Sequence, residues 1–249
     1  MKTEKALLGV LGGLGPMSTV YFYELLTSHT KASSDAEHLD LLISSRATTP
    51  DRTAFILGHS KEDPLPVMRE EAERLVAAGA TLLVIPCNTA HYFYEGLQQK
   101  CPVPILNIIR ETVAFLNQNG IKRFSLLATE GTVTAGSYQK ISGPLGLECV
   151  IPTQEEQAIV SSVIYDHIKQ NKPADMQKLL SVVRSMEKRG SEITVLGCTE
   201  LSLLKKQFPY GSAVVDSLEV LAYRTIQACH KKPVGFPPEF DRLQSEVLL

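Results

Sequence analysis

Positions 86–91 read PCNTAH and positions 196–201 read LGCTEL. Each cysteine follows a short apolar run and precedes a small polar cluster: Asn88 and Thr89 behind Cys87, Thr199 and Glu200 behind Cys198. Both stand where a buried strand gives way to a helix. Helix N-termini present unpaired N–H groups and the positive end of the peptide dipole. They bind carboxylates, and they are expected to draw a thiol from about 8.5 toward neutrality. Two such thiols on opposite faces of one carbon suit proton transfer, one removing a proton while the other supplies one. Many enzymes delocalise the resulting carbanion into pyridoxal phosphate. No phosphate cup with a Schiff-base lysine stands out here. The charge would then rest on desolvation and on N–H donors aimed at the α-carboxylate. No cofactor is expected.

The other cysteines, Cys101, Cys149 and Cys229, lack a polar setting and read as small buried hydrophobes. Five cysteines with no CxxC pair and six scattered histidines support neither a disulfide framework nor a structural zinc site. No metal is expected. His91, four residues past Cys87, reads either as a tuner of that thiol or as a satisfied helix histidine.

These residues need elements to hold them. The chain has 249 residues, enough for one large or two compact domains at about 100–200 residues each. Its 44% hydrophobic and 21% charged residues are ordinary for a globular protein, and its formal charge of −2 gives no footprint for nucleic acid. No apolar run reaches the roughly 18 residues of a membrane span, and glycines break the N-terminal apolar stretch. A cytoplasmic protein with neither membrane nor nucleic-acid partner is the expectation.

Apolar runs at 6–12, 39–45, 81–87 and 104–109 predict strands, and a second series follows at 123–129, 147–152, 193–198 and 212–217. Helical patterns separate them, notably Pro64–Ala78, Gln154–Gln170 and Ala174–Lys188. Continuous apolar strands alternating with helices predict parallel sheets covered on both faces. The two series match in order, each ending its third strand in a cysteine. The chain therefore reads as two similar α/β domains facing across a cleft, with pseudo-twofold symmetry. Ligands in open parallel sheets sit beyond the carboxyl ends of strands, which is where both cysteines stand.

The turn GGLGPMST at 12–19 lacks the spacing of a dinucleotide fingerprint and the lysine of a P-loop. It reads instead as a tight turn into a helix capped by Ser18 and Thr19, with TEGT (Thr129, Gly131, Thr132) as its counterpart. In SSRATTPDRT at 44–53, Arg46 or Arg52 is within reach of the cleft, and Arg52 is the better placed to meet a carboxylate.

Taken together, GGLGPMST, PDRT, PCNTAH, GCTEL and AVVDS resemble the cofactor-independent aspartate/glutamate racemase family over almost the whole chain. The resemblance implies two domains, each a four-stranded parallel sheet flanked by helices, with the active site between them. The N-terminal domain would hold residues 1–108 plus a returning segment, 214–249, and the second domain residues 109–213. A homodimer acting on a small amino acid is implied. Cys87 and Cys198 become the two bases. Arg52, Asn88, Thr89, Thr132, Lys169, Thr199 and Glu200 become substrate-binding residues, with Gly13 and Met17 from the glycine turn. Lys169, in IYDHIK, is promoted by the resemblance alone. Aspartate is the expected substrate. Glutamate or a broader amino-acid range, a dicarboxylate isomerase or decarboxylase of the same architecture, and a non-enzymatic amino-acid sensor are the rivals. The loop before PDRT lacks the Asn-rich sequence the family leads one to expect.

Overall fold

The computed structural model describes residues 6–208 and 213–243. The first five residues, the last six, and Ser212 at the head of the eighth predicted strand lie outside them.

Among the described residues, eight strands form two sheets. The first unit contains β1 (Leu7–Gly12), β2 (Asp40–Ser45), β3 (Leu82–Val84) and β4 (Ile105–Leu106), in the order β2-β1-β3-β4. The second contains β5 (Arg123–Leu127), β6 (Glu148–Val150), β7 (Ile193–Leu196) and β8 (Val214–Asp216), in the order β6-β5-β7-β8. Every pairing is parallel. The two orders are the same, so the internal repeat is a repeat of topology.

Helices connect the strands: α1 (Pro16–Ser28), α2 (Arg52–Ile56), α3 (Pro64–Ala77), α4 (Tyr94–Gln98) and α5 (Ile108–Gln118) in the first half. The second half adds α6 (Glu130–Thr134), α7 (Ser137–Ser142), α8 (Gln154–Ser162), α9 (Met176–Lys188), α10 (Thr199–Ser202) and α11 (Ser217–Ala228). Local chemistry fixes several ends. Asp63 accepts from the Leu65 N–H to start α3 just ahead of Pro64, and Gly79, at φ +98°, lets the chain turn away after it. Thr153 and Glu156 close a capping box on α8.

All eight strands are shorter than their predicted apolar runs, and two of them show why. β3 stops at Val84, two residues ahead of Pro86, which has no N–H for a ladder. β4 stops at Leu106 because the Asn107 side chain accepts from the N–H groups of Ile109 and Arg110, which commits Ile108 and Ile109 to α5. The expected domain boundary also moves. β8 lies in the second sheet beside β7, so an assignment of 214–249 to the first unit would remove an edge strand. The return starts with α11, which packs on α1 and α5. The chain after it then runs back to the end of α1, where Lys31 N–H donates to Lys232 O at 2.8 Å.

One core is shared by both units. Leu8, Val10 and Leu106 of the first sheet join Phe124, Leu126 and Val195 of the second through Val113 and Leu116 on α5 and Leu218 and Leu221 on α11. Inside it, Arg224 Nε donates to Glu111 Oε2 at 2.7 Å with both side chains buried. Two units that share a core hold their strand ends in a fixed relation.

Candidate active site

The carboxyl ends of the strands point at one place. The loop after β1 brings Leu14, that after β2 brings Asp51, Arg52 and Thr53, and that after β3 brings Cys87, Asn88 and Thr89. From the second unit, Thr129 follows β5, Tyr165 and Lys169 follow β6 and α8, and Cys198, Thr199 and Glu200 follow β7. All of them line one cavity, so the two cysteines, more than a hundred residues apart in sequence, face a common space. That cavity is small, about 10 Å³, room for about one water molecule. A larger vestibule of about 410 Å³ lies next to it, and Asp51, Arg52, Lys169 and Glu200 belong to both walls.

Cys198 Sγ donates to Glu200 Oε2 at 3.0 Å. The other oxygen, Oε1, lies 3.7 Å from Lys169 Nζ and is buried without a hydrogen-bond partner. The Lys169 ammonium sits 4.7 Å from the centre of the Tyr165 ring. Tyr165 and Lys169 reach the cavity because the helix widens into a π-turn at Val163–His167 directly after α8.

Arg52 is largely consumed by backbone. Its Nη1 donates to the carbonyls of Thr49 and Pro50 at 3.2 and 3.0 Å, and its Nη2 to that of Leu14 at 3.2 Å. A guanidinium has five N–H groups, so one on Nη2 and the one on Nε remain. Nε is buried and unpartnered. Arg46, the other arginine of the loop, turns away and pairs with Glu70 and Glu71.

Three threonines join the units. Thr89 Oγ1 lies 2.8 Å from Thr129 Oγ1, and Thr132 Oγ1 lies 3.1 Å from each. Asn88 Nδ2 donates to Ser217 Oγ at 2.9 Å, while its Oδ1 accepts from Tyr138 OH at 2.7 Å.

The expected site therefore needs three corrections. Thr132 is one hydroxyl behind the cavity, and Thr129 takes the lining position because its side chain caps α6 from the strand end. Gly13 and Met17 line the vestibule and not the thiol cavity, because the turn after β1 carries them outward past Leu14. The thiols are not drawn toward neutrality. The Ala90 and Glu200 N–H groups, at the starts of the 3₁₀ turn Thr89–Phe93 and of α10, favour the thiolates, but burial outweighs them. Burial pushes the Cys87 thiol up, with the Arg52 charge opposing. Burial pushes Cys198 well above the ordinary thiol range, and the Glu200 charge and hydrogen bond push it further, against Lys169.

Sequence reasoning missed Leu14, Asp51, Thr53 and Tyr165. Tyr165 precedes Lys169 by four residues, the one signal in the sequence that the two share a face.

His91 does not touch the thiol. The Ile108 N–H donates to its Nε2 at 3.3 Å, so Nε2 is the acceptor nitrogen and Nδ1 carries the proton, donating to the Cys87 carbonyl at 2.8 Å. Burial lowers its pKa to about 4. The unfolded chain, with His near 6.5, then binds the proton that the folded chain refuses. This stability is present above about pH 6.5 and lost as pH falls toward 4. Chemical denaturation should show about 2 kcal/mol less stability at about pH 5 than at about pH 7 from this group, and His91→Gln should flatten that difference. An unchanged slope in the variant would assign the loss elsewhere.

Among the described residues, no helix is long and apolar enough to cross a membrane, and no group of three or more His, Cys, Asp or Glu side chains is placed to hold a metal ion.

The chain resembles known proteins along nearly its whole length. It is 28% identical to the broad specificity amino-acid racemase RacX of Bacillus subtilis over 225 residues, 88% of this chain and 96% of the relative. Its fold superposes on the aspartate racemase of Picrophilus torridus with a TM-score of 0.84 at 28% identity, covering 96% of this chain and 99% of the other. An aspartate racemase homologue from Pyrococcus horikoshii gives 0.73 at 26% identity over 91% and 99%. Residues 11–225 match the Asp/Glu/Hydantoin racemase family, a span that begins at the end of β1 and takes in β2 to β8 and both thiols. This chain belongs to the Asp/Glu/Hydantoin racemase family and is a racemase.

Proposed function

We propose that this racemase inverts the α-carbon of an acidic amino acid, aspartate before glutamate, with Cys87 and Cys198 as bases on opposite faces. The observation that carries the reading is the meeting of two thiols from separate units in one cavity walled by Arg52, Lys169 and Glu200. A thiolate on one side takes the Cα proton as the thiol on the other gives its own. The pair ends with thiol and thiolate exchanged and net charge unchanged. Burial favours the protonated form of both thiols. Arg52 beside Cys87 and Lys169 beside Cys198 favour the single thiolate the reaction needs.

The polar groups divide among the ends of the substrate. Glu200 Oε1 is the anionic acceptor left open, and it suits the α-ammonium. Lys169 and the remaining N–H groups of Arg52 suit the carboxylates. An amino acid does not fit a 10 Å³ cavity, so Arg52, Lys169 and Glu200 must shift and merge it with the vestibule when substrate enters. Burying the reacting carbon this way excludes water and strengthens each of these contacts.

Aspartate is preferred on charge and size, and the likeness to an aspartate racemase supports it. One methylene separates it from glutamate, a difference worth about 1–3 kcal/mol in a pocket. A second reading, a wider amino-acid range, is favoured by the 410 Å³ vestibule and by the likeness to RacX.

The test is incubation of the protein in D2O with L-aspartate, L-glutamate or L-alanine and no added cofactor, followed by proton NMR and chiral chromatography. Deuterium at Cα with D-aspartate accumulating fastest supports the first reading, and comparable rates on alanine support the second. No exchange with any of them overturns both. Lys169→Met should then lower kcat/KM about tenfold more for aspartate than for alanine, as expected for one charge-assisted hydrogen bond to the side-chain carboxylate, since its support of the thiolate is common to both. Equal losses on the two would remove Lys169 from the recognition of the side-chain carboxylate.

A further inference from the structure

The AVVDS strand end supplies no atom to the cavity, yet its two polar residues are fully buried and tied to both cysteine turns. Asp216 is paired with Leu196 across β7 and β8, so it stands beside the point where β7 turns into Gly197 and Cys198. Its Oδ1 accepts from the Leu218 N–H at 2.9 Å, capping α11. The same oxygen accepts from Ser202 Oγ at 2.7 Å. Ser202 is the last residue of α10, the helix that begins directly after Cys198 and contains Glu200.

Ser217 reaches the other way. Its single hydroxyl proton goes to the Leu196 carbonyl at 2.7 Å, which leaves its lone pairs to accept from Asn88 Nδ2 at 2.9 Å. Asn88 directly follows Cys87 and is held from its other end by Tyr138. Two adjacent residues thus tie the Cys198 helix to α11 and the Cys87 turn to the end of β7. The first unit has a different device at the same place. There Asn107 caps α5, and the next residue, Ile108, holds Cys87 through His91.

We propose that Asp216 and Ser217 are positioning residues that fix the spacing and mutual orientation of the two thiols, acting through Ser202 on Cys198 and through Asn88 on Cys87. The proposal rests on the two-thiol reading above. Proton transfer at a carbon demands near-contact geometry, so a small displacement of either sulfur is costly.

Ser202→Ala cuts only the tie to the Cys198 helix, and Ser217→Ala cuts the tie that joins the units. The first readout is peptide-resolved alkylation by iodoacetamide in the whole protein. Losing one hydrogen bond of about 1 kcal/mol shifts a local opening equilibrium about fivefold. Ser202→Ala is expected to raise the Cys198 rate by that factor and leave Cys87 and Cys229 unchanged, and Ser217→Ala to raise both Cys87 and Cys198. The second readout is the isotope effect on kcat with Cα-deuterated substrate. In Ser202→Ala it should rise for one enantiomer and not for the other, a split that a general loss of stability does not produce.

Unchanged alkylation of Cys198 in Ser202→Ala, or a rise shared with Cys87 and Cys229, overturns the proposal. So does an equal isotope effect on both enantiomers. Should Ser217→Ala fail to fold, Ser202→Ala decides alone, since its site is the end of a four-residue helix. Should the unmodified protein invert no amino acid, the racemase reading of the cavity falls, and the alkylation rates still decide whether the bracket exists.

Discussion

Replacing either cysteine by serine, Cys87→Ser or Cys198→Ser, should cut inversion of aspartate about 1,000-fold or more in both directions, within the range general acid–base groups supply. Both directions must fall together, because the enantiomers are equal in free energy and kcat/KM is therefore the same from either side. The informative part is what survives. A serine hydroxyl is no base near neutral pH, whereas the remaining thiol still faces one side of Cα. Each variant should keep exchanging the Cα proton of one enantiomer with solvent deuterium without inverting it, and the two variants should differ in which enantiomer that is. NMR of the recovered substrate reads this directly. Inversion above about a tenth of the unmodified rate in either variant would remove that cysteine from the proton path. Exchange of the same enantiomer by both would place the thiols on one face. The pH dependence follows from the same groups. Burial raises both thiols, so the rate should climb with pH as the first thiolate forms, and fall again once the second thiol is lost.

Much of this was legible in the sequence because the signals are local. Apolar runs flanked by Gly, Pro and Asn marked the strands. Their order marked the repeat, and the repeat placed Cys87 and Cys198 at equivalent strand ends. What escaped was set by packing. No local pattern says that the helix after Ser162 widens into a π-turn, and that turn is what carries Tyr165 and Lys169 to the cavity. Thr129 and Thr132 are equivalent in the string TEGT, and only the capping geometry decides that Thr129 faces the thiols. The helix starts were visible behind both cysteines, but the depth of burial was not, and it decides the direction in which the thiols titrate. β8 reads as a return to the first unit until its pairing with β7 is seen.

Glu200→Gln should raise KM for aspartate about 100-fold while moving the titration of Cys198 downward, two effects of opposite sign on activity at low pH. The carboxylate does three things at once: Oε2 accepts the Cys198 proton, Oε1 faces Lys169, and Oε1 still has no hydrogen-bond partner. Glutamine keeps the volume and an oxygen for the thiol but has no charge for an ammonium. Losing a buried partner to a charge costs about 2–5 kcal/mol, which appears in KM if Glu200 holds the substrate amine. The thiol responds in the other direction. After burial, the Glu200 charge and its hydrogen bond are the leading causes of the raised Cys198 pKa, and both favour the neutral thiol. Removing the charge lets the thiolate form at lower pH, with Lys169 now unopposed beside it. The low-pH limb of kcat should therefore move to lower pH in the variant even as KM worsens, and ultraviolet absorbance of the thiolate in the Cys87→Ser background should follow the same shift. Were Glu200 instead the base that strips Cys198 of its proton, the loss would fall on kcat, KM would stay put, and the limb would move upward. The two roles predict opposite signs for one measured pH, so a single titration of the variant separates an amine-holding carboxylate from a proton relay.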